Sequence, residues 1–226
     1  MRGLFITGTD TAAGKTILSA ALLAAMVRHG KPVRAHKPVV TGVDESAPDW
    51  PADHVLLGSI ARMRAEDVSP LRYPAAASPH LAASLAGESI DPAGLLARAR
   101  AAAEPDHTLI VEGVGGLLVP LAGGYTVADF ACELGLGLLI AARAGLGTIN
   151  HTLLTLHAAR AYGLRVHAVV LTPWPAAPSD VELSNRETIA SLGEVEVATL
   201  DTLENADLEG LARAGERLPW RRWLAA

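Results

Sequence analysis

Gly8-Thr9-Asp10-Thr11-Ala12-Ala13-Gly14-Lys15-Thr16 joins an apolar run, Leu4-Phe5-Ile6, to a helix-like run that begins at Ile17. Read from its chemistry, this stretch is a phosphate cradle. Small residues let backbone N–H groups turn inward, Lys15 brings a positive charge, Thr16 offers a hydroxyl to Mg²⁺, and the helix start favours anions. The plain alternative is an ordinary strand-to-helix turn. Gly-Lys-Thr at a strand-to-helix handover is the context that the phosphate-binding motif requires. The usual spacing puts the first glycine where Thr9 stands, so Gly8 is one residue early and the loop is a variant P-loop.

Working outward, Gly3 to Thr7 reads as a strand and Lys15 to His29 as an alanine- and leucine-rich helix, stopped by Gly30 with Pro32 beyond. A second strand fits Val33 to Lys37. A polar loop at 43–52 leads into a helix from Asp53. Residues 65–80 read as an irregular, proline-bearing excursion ending in Ser78-Pro79-His80, with helices expected at 80–86 and 92–103. His107 to Val111 is the third strand, closed by Glu112 and Gly113-Val114-Gly115-Gly116, and a helix is expected at 126–134. Leu136 to Ala142 and Val166 to Leu171 read as buried strands, separated by Gly145 to His151 and a helix to Tyr162. Pro173, Pro175 and Pro178 stiffen a loop before a helix at 180–191. Glu194 to Thr199 completes the strands, and a last helix is expected at 203–215. Strands alternating with helices at this spacing imply an α/β fold of P-loop NTPase type, a three-layer sandwich with a mainly parallel sheet. The 226 residues, half of them hydrophobic, are read as one domain, 1–226.

A formal charge of −5 without a long basic run argues against a nucleic-acid backbone as principal partner. The lone cysteine, Cys132, excludes an intrachain disulfide and suits a reducing compartment, with cytoplasm the default. It lies in an apolar helix and reads as a core residue. No apolar stretch is long enough to span a bilayer and no leader pattern opens the chain, so a soluble protein is expected. The eight histidines show no metal-ligand spacing. Trp220-Arg221-Arg222-Trp223 reads as a docked terminus or subunit contact rather than a nucleic-acid site.

In an open parallel sheet, ligands collect at the carboxyl ends of the strands. The P-loop, Lys37 to Thr41, Glu112 with its glycines, and Gly145 to Asn150 all fall there. Glu112 is either a solvated strand-end acid or a carboxylate aimed at Mg²⁺, which takes oxygen ligands and bridges phosphates. Asp53 is a helix N-cap or a second metal ligand. Lys37 is a surface lysine or a second cation for a transferred phosphoryl group. Thr148 or Asn150 caps a helix, or that helix start holds a carboxylate.

Together these residues resemble the dethiobiotin synthetase family, from the first strand to at least Asn185-Arg186. The matches are Thr7-Gly8-Thr9-Asp10-Thr11 with Gly14-Lys15-Thr16, His36-Lys37-Pro38-Val39, Ser78-Pro79-His80, Val111-Glu112-Gly113 with Gly115-Gly116, and Leu146-Gly147 with Asn150-His151. The resemblance implies an ATP-dependent ligase that joins 7,8-diaminopelargonic acid to CO₂ and closes a ureido ring through a carbamic-phosphoric anhydride. It implies Lys15, Lys37 and Thr11 as the catalytic set, and Thr16, Asp53 and Glu112 as ligands of Mg²⁺. The nucleotide falls to Ala12, Ala13, Gly14, Lys15, Thr16, Ile17, Asp53, Glu112, Gly113, Val114, Gly115, Thr172 and Pro173. The substrate falls to Thr11, Lys37, Thr41, Gly147 and Asn150. Because the Gly147 to Asn150 helix start is supplied by a partner subunit in that family, a homodimer is also implied.

Two departures stand out. Ala12 occupies a position that is acidic in many relatives, and Thr172-Pro173 replaces an asparagine that some relatives use to read adenine. Threonine and proline lack the paired donor and acceptor of an amide, so relaxed nucleobase selectivity is expected. A cobyrinate-synthase-type ligase shares the fold, but usually adds a glutamine-hydrolysing domain for which there is no room. Switch ATPases related to ParA and MinD carry a lysine early in the loop, where this chain has Asp10 or Thr11.

Overall fold

The computed structural model describes residues 1–43 and 50–225. Residues 44–49, most of the polar loop expected at 43–52, lie outside the described residues. Strand β1 (Gly3–Gly8) passes through the P-loop into α1 (Lys15–Arg28), followed by β2 (Val33–His36), β3 (Val39–Thr41), α2 (Asp53–Ala61), α3 (Ala65–Val68), β4 (Leu71–Tyr73), α4 (Pro79–Leu85) and α5 (Pro92–Ala101). The chain continues through β5 (Thr108–Gly116), β6 (Pro120–Ala122), β7 (Tyr125–Thr126), α6 (Val127–Leu134), β8 (Gly137–Ala142) and α7 (Thr148–Ala161). It ends with β9 (Val166–Trp174), α8 (Asp180–Gly193), β10 (Glu196–Asp201), α9 (Leu208–Glu216) and α10 (Trp220–Trp223).

Six strands form one sheet in the order β10-β9-β8-β1-β5-β2, and every pairing in it is parallel. Successive residues face opposite layers, as the two-residue period of a strand requires. In β1, Phe5 packs with α4, α5 and α6, whereas Leu4 and Ile6 pack with α1, α2 and α9. The sheet is therefore covered on both faces, which explains why its strands read as continuous apolar runs. After β1 the chain builds β2 and then β5 on one side, and afterwards crosses to build β8, β9 and β10 on the other. The winding reverses at β1, so the crevice for a ligand opens at its carboxyl end, where the P-loop lies.

Helix starts differ in a way that bears on function. Thr126 and Asp129 form a reciprocal capping box on α6, Ser179 and Glu182 do so on α8, and Asp91 caps α5. By contrast, α1 and α7 start after left-handed glycines, Gly14 (φ 88°) and Gly147 (φ 89°), with no side chain accepting from their first N–H groups. At α7 the Thr148 N–H is met by the Gly145 carbonyl at 3.3 Å; the remaining first-turn donors of the two helices are groups that a helix cannot satisfy internally.

Three expectations are corrected. The excursion at 65–80 contains α3 and β4, and β4 pairs with β3 in parallel, Val39 opposite Leu71 and Thr41 opposite Tyr73. Strands of three residues are too short for a readable period. Cys132 is exposed, because α6 turns Val127, Phe130, Ala131 and Leu134 to the core and leaves Cys132 on the other face, with its Sγ 3.2 Å from the Tyr162 carbonyl oxygen. The last helix starts at Leu208, not 203. The aromatic tail docks on the protein itself: Trp220 and Trp223 are buried among the side chains that cover α1.

Candidate active site

The P-loop needs glycine where its chain bends most. A Cβ on Gly14, which has a positive φ, would lie 2.4 Å from Thr172 Cγ2. One on Gly8 would lie 2.9 Å from the Asp10 carbonyl oxygen and 3.1 Å from Lys15 Nζ. The Lys15 ammonium folds back over the loop and donates to the carbonyl oxygens of Asp10 (2.9 Å) and Thr11 (3.0 Å). Burial pulls the pKa of Lys15 down to about 8, and nearby Glu112 offsets only part of that effect.

Beside the loop, two strands and two helix starts deliver a compact polar cluster into an apolar setting. Glu112 from β5 is fully buried, and Lys37, which follows β2, is 5% exposed. Lys37 Nζ donates to Glu112 Oε1 at 2.7 Å and also pairs with Asp53 at the start of α2. Thr16 Oγ1 donates to the same Glu112 oxygen at 2.8 Å. Burial alone would lower Lys37, but the carboxylates of Glu112 and Asp53 outweigh it and hold the ammonium above the ordinary lysine value. Burial likewise opposes the charge of Asp53, and its Lys37 partner overcomes that and holds the carboxyl below its usual range. Glu112 Oε2 is buried with no hydrogen-bond partner.

A small cavity of about 110 Å³ opens between these groups, lined by Thr11, Lys15, Thr16, Lys37, Thr41, Asp53, Val114 and Gly115 among others. Two larger clefts adjoin it at Thr11. One, of about 500 Å³, runs past Thr41, Gly42, Ser78 and Pro79, and the other, of about 450 Å³, runs past Asp10, Gly116, Leu118 and Leu154. Thr16, Asp53 and Glu112 make an all-oxygen donor set, and Glu112 keeps a free buried oxygen, a combination that suits a hard divalent cation. Among the described residues, no three His, Cys, Asp or Glu side chains gather into a protein-only metal cage.

The remaining expected residues divide. Ala12 presents its carbonyl outward, where Arg143 Nε donates to it at 3.2 Å. Ala13 is buried in the core, Ile17 packs against the α1 side, and a Cβ on Gly113 would meet Val127 and Phe5, so these three support the loop from behind. Thr172 is buried against Gly14 and is joined to Pro173 by a cis peptide bond. Gly147 and Asn150, exposed at the start of α7, line none of the three clefts that meet at Thr11. Sequence reasoning missed Arg143. Its signal, a basic residue at the carboxyl end of a strand, becomes meaningful only once β8 is known to lie beside β1.

The chain is similar to proteins of one named family. The family model described as an AAA domain matches residues 2–206. The ATP-dependent dethiobiotin synthetase BioD of Anaeromyxobacter sp. (strain Fw109-5) is 40% identical, covering 86% of this chain and 91% of its own. The same-named proteins of Mycobacterium avium (strain 104) and Bacillus subtilis subsp. natto are 37% and 36% identical; the alignment covers both chains fully in the first case, and 85% of this chain and 83% of the relative in the second. Among solved structures, the cell division ATPase MinD of Pyrococcus furiosus aligns over the whole of both chains with a TM-score of 0.59 at 18% identity, a likeness of fold alone. On its sequence relatives, the chain belongs to the ATP-dependent dethiobiotin synthetase family.

Proposed function

We propose that this protein is a dethiobiotin synthase acting on 7,8-diaminopelargonic acid, CO₂ and a nucleoside triphosphate. One amine of the substrate and CO₂ form a carbamate with loss of a proton, and its oxygen attacks the γ-phosphorus and releases the nucleoside diphosphate. The second amine then attacks the carbonyl of the mixed anhydride, expelling phosphate and closing the ureido ring. No covalent protein nucleophile takes part, so catalysis rests on positioning and electrostatics.

The observation that carries this reading is the convergence of Lys15, Lys37, Thr16 and Thr11 on one small cavity at the end of β1. Lys15 and Lys37 neutralise the carbamate and the transferred phosphoryl group, and Thr11 and Thr41 orient the diamine. Gly14 and the open start of α1 present backbone N–H groups to the phosphates. Thr16, Asp53 and Glu112 would hold Mg²⁺, which would supply charge neutralisation for the nucleotide phosphates. Burial of this cluster strengthens each of these interactions.

The far carboxylate of the substrate is taken by the open start of α7, at Gly147 to Asn150, from a second copy of the chain. Two observations support a homodimer. These residues lie outside the clefts at Thr11, and exposed Leu118 and Leu154 line one of those clefts. The buried Thr172 and its neighbour Pro173 offer no amide side chain to a base, which supports relaxed nucleobase selectivity. Cytoplasm is the compartment that suits these substrates and a single free thiol; among the described residues no helix is long and apolar enough to cross a membrane.

The deciding assay is incubation with diaminopelargonate, bicarbonate, Mg²⁺ and ATP, CTP or GTP, followed by mass detection of dethiobiotin. Product is expected, with comparable rates for more than one nucleotide. No product with any nucleotide sinks the activity, whereas a strong preference for ATP removes only the relaxed selectivity.

A further inference from the structure

Arg143 directly follows β8, and the register of that strand fixes its neighbourhood. Ala141 pairs with Gly8 of β1, Ala142 pairs with Leu171 of β9, and the Thr9 N–H donates to the Ala141 carbonyl at 3.0 Å. The next residue along β8 is thereby set between the P-loop and the Thr172–Pro173 segment. Its Nε donates to the Ala12 carbonyl. The chain just beyond it is also pinned: buried Asn185 donates through Nδ2 to the carbonyl oxygens of Ala144 (2.9 Å) and Gly145 (3.2 Å).

A guanidinium carries five N–H donors, so a single bond from Nε leaves the two terminal nitrogens free. Among the described residues Arg143 has no carboxylate partner. Lys37, the cation on the opposite flank of β1, already meets Glu112 and Asp53. Arg143 is therefore an uncompensated cation tethered to the outer side of a phosphate loop, on the flank nearer Thr172. Its planar fork suits phosphate oxygens better than a lysine would.

Building on the nucleotide-binding reading, we propose that Arg143 is a further nucleotide-contacting residue, which grips the polyphosphate from the β8 flank while Lys15 and Lys37 act from the loop and the β5 flank. With Ala12 in place of an acidic side chain, nothing at that loop position competes for the guanidinium.

The test is titration of the full-length protein with MgADP and with inorganic tripolyphosphate, for the wild type and for R143A, R143Q and R143K. R143A is expected to bind both probes about ten-fold more weakly, the low end for a hydrogen bond between charged groups. R143K should recover part of the loss, and the wild type should show a steeper salt dependence than R143Q. Melting curves without ligand establish that each variant is folded, and the Gln and Lys variants carry the test if R143A is not. Equal affinities for wild type and R143A, wild-type affinity in R143Q, or equal salt dependence would overturn the proposal. The last two results would reduce Arg143 to an anchor for the Ala12 carbonyl. Failure of the wild type to bind MgADP would remove the nucleotide reading and this inference with it.

Discussion

Lys37 Nζ lies 2.7 Å from Glu112 Oε1, and neither side chain has appreciable contact with water. Such a pair is costly to break from one side, because the surviving charge is left buried without its partner. Lys37→Met is expected to destabilise the metal-free protein by about 3 kcal/mol in urea unfolding, the lower end for breaking a buried pair. Adding Glu112→Gln should restore most of that loss. Turnover should fall by about a hundred-fold or more in K37M, as for removal of a charge-stabilising donor, while Glu112→Gln reports on stability alone because Glu112 is itself assigned to the metal. Near-normal turnover in folded K37M would show that Lys37 acts only structurally.

Lys15 gives a pH dependence with a definite sign. Burial disfavours its charged form and sets its pKa at about 8 in the free protein, whereas a bound polyphosphate favours the charged form. Above pH 8 the free protein holds Lys15 neutral, so binding must capture a proton and affinity falls as pH rises through 8. Below that value Lys15 is already charged and adds no proton uptake. Calorimetry with MgADP at pH 9, in two buffers of different ionisation enthalpy, should show uptake approaching one proton, and much less at pH 7. Equal uptake at both pH values would count against a lowered Lys15.

Much of this site is legible in the sequence because its parts are local. Gly14-Lys15-Thr16 carries its own backbone requirement, and Glu112 stands out as an acid at the end of an apolar strand. What the chain order hides is adjacency. That Lys37 meets Glu112 across 75 positions depends on β5 inserting between β1 and β2, and that Arg143 reaches Ala12 depends on β8 lying on the far side of β1. Short paired strands such as β3 and β4 escape for a different reason, since three residues carry no period. Cys132 misleads by residue type, since free cysteine is usually buried, whereas the apolar stripe Val127, Phe130, Ala131 and Leu134 of α6 leaves position 132 on the opposite face.

Gly14 of the phosphate loop packs directly against Thr172 near the end of β9. Gly14→Ala introduces a left-handed alanine, costing about 1–2 kcal/mol, together with a methyl 2.4 Å from Thr172 Cγ2. The variant should melt lower and bind MgADP weakly. Adding Thr172→Ser deletes the clashing methyl, so part of the melting loss should return while the backbone cost remains. A G14A protein as stable as the wild type would mean that the loop relaxes freely and that Thr172 does not set its position.

Leu118 and Leu154 are 59% and 60% exposed, yet they line the same cleft as Thr9, Asp10 and Thr11. Two large apolar side chains at the mouth of a polar site are a poor surface for a monomer and a reasonable one for a subunit contact. Light scattering is expected to give twice the 23.5 kDa chain mass for the wild type and a single chain mass for L118D/L154D. The P-loop, Lys15 and Thr16 belong to one chain, so the monomeric variant should still bind MgADP. In the proposed reaction the Gly147 to Asn150 helix start comes from the partner, so dethiobiotin formation should collapse, with the loss appearing first as weakened diamine binding. A wild type that is monomeric and fully active would separate the α7 start from substrate binding and return Leu118 and Leu154 to ordinary surface residues.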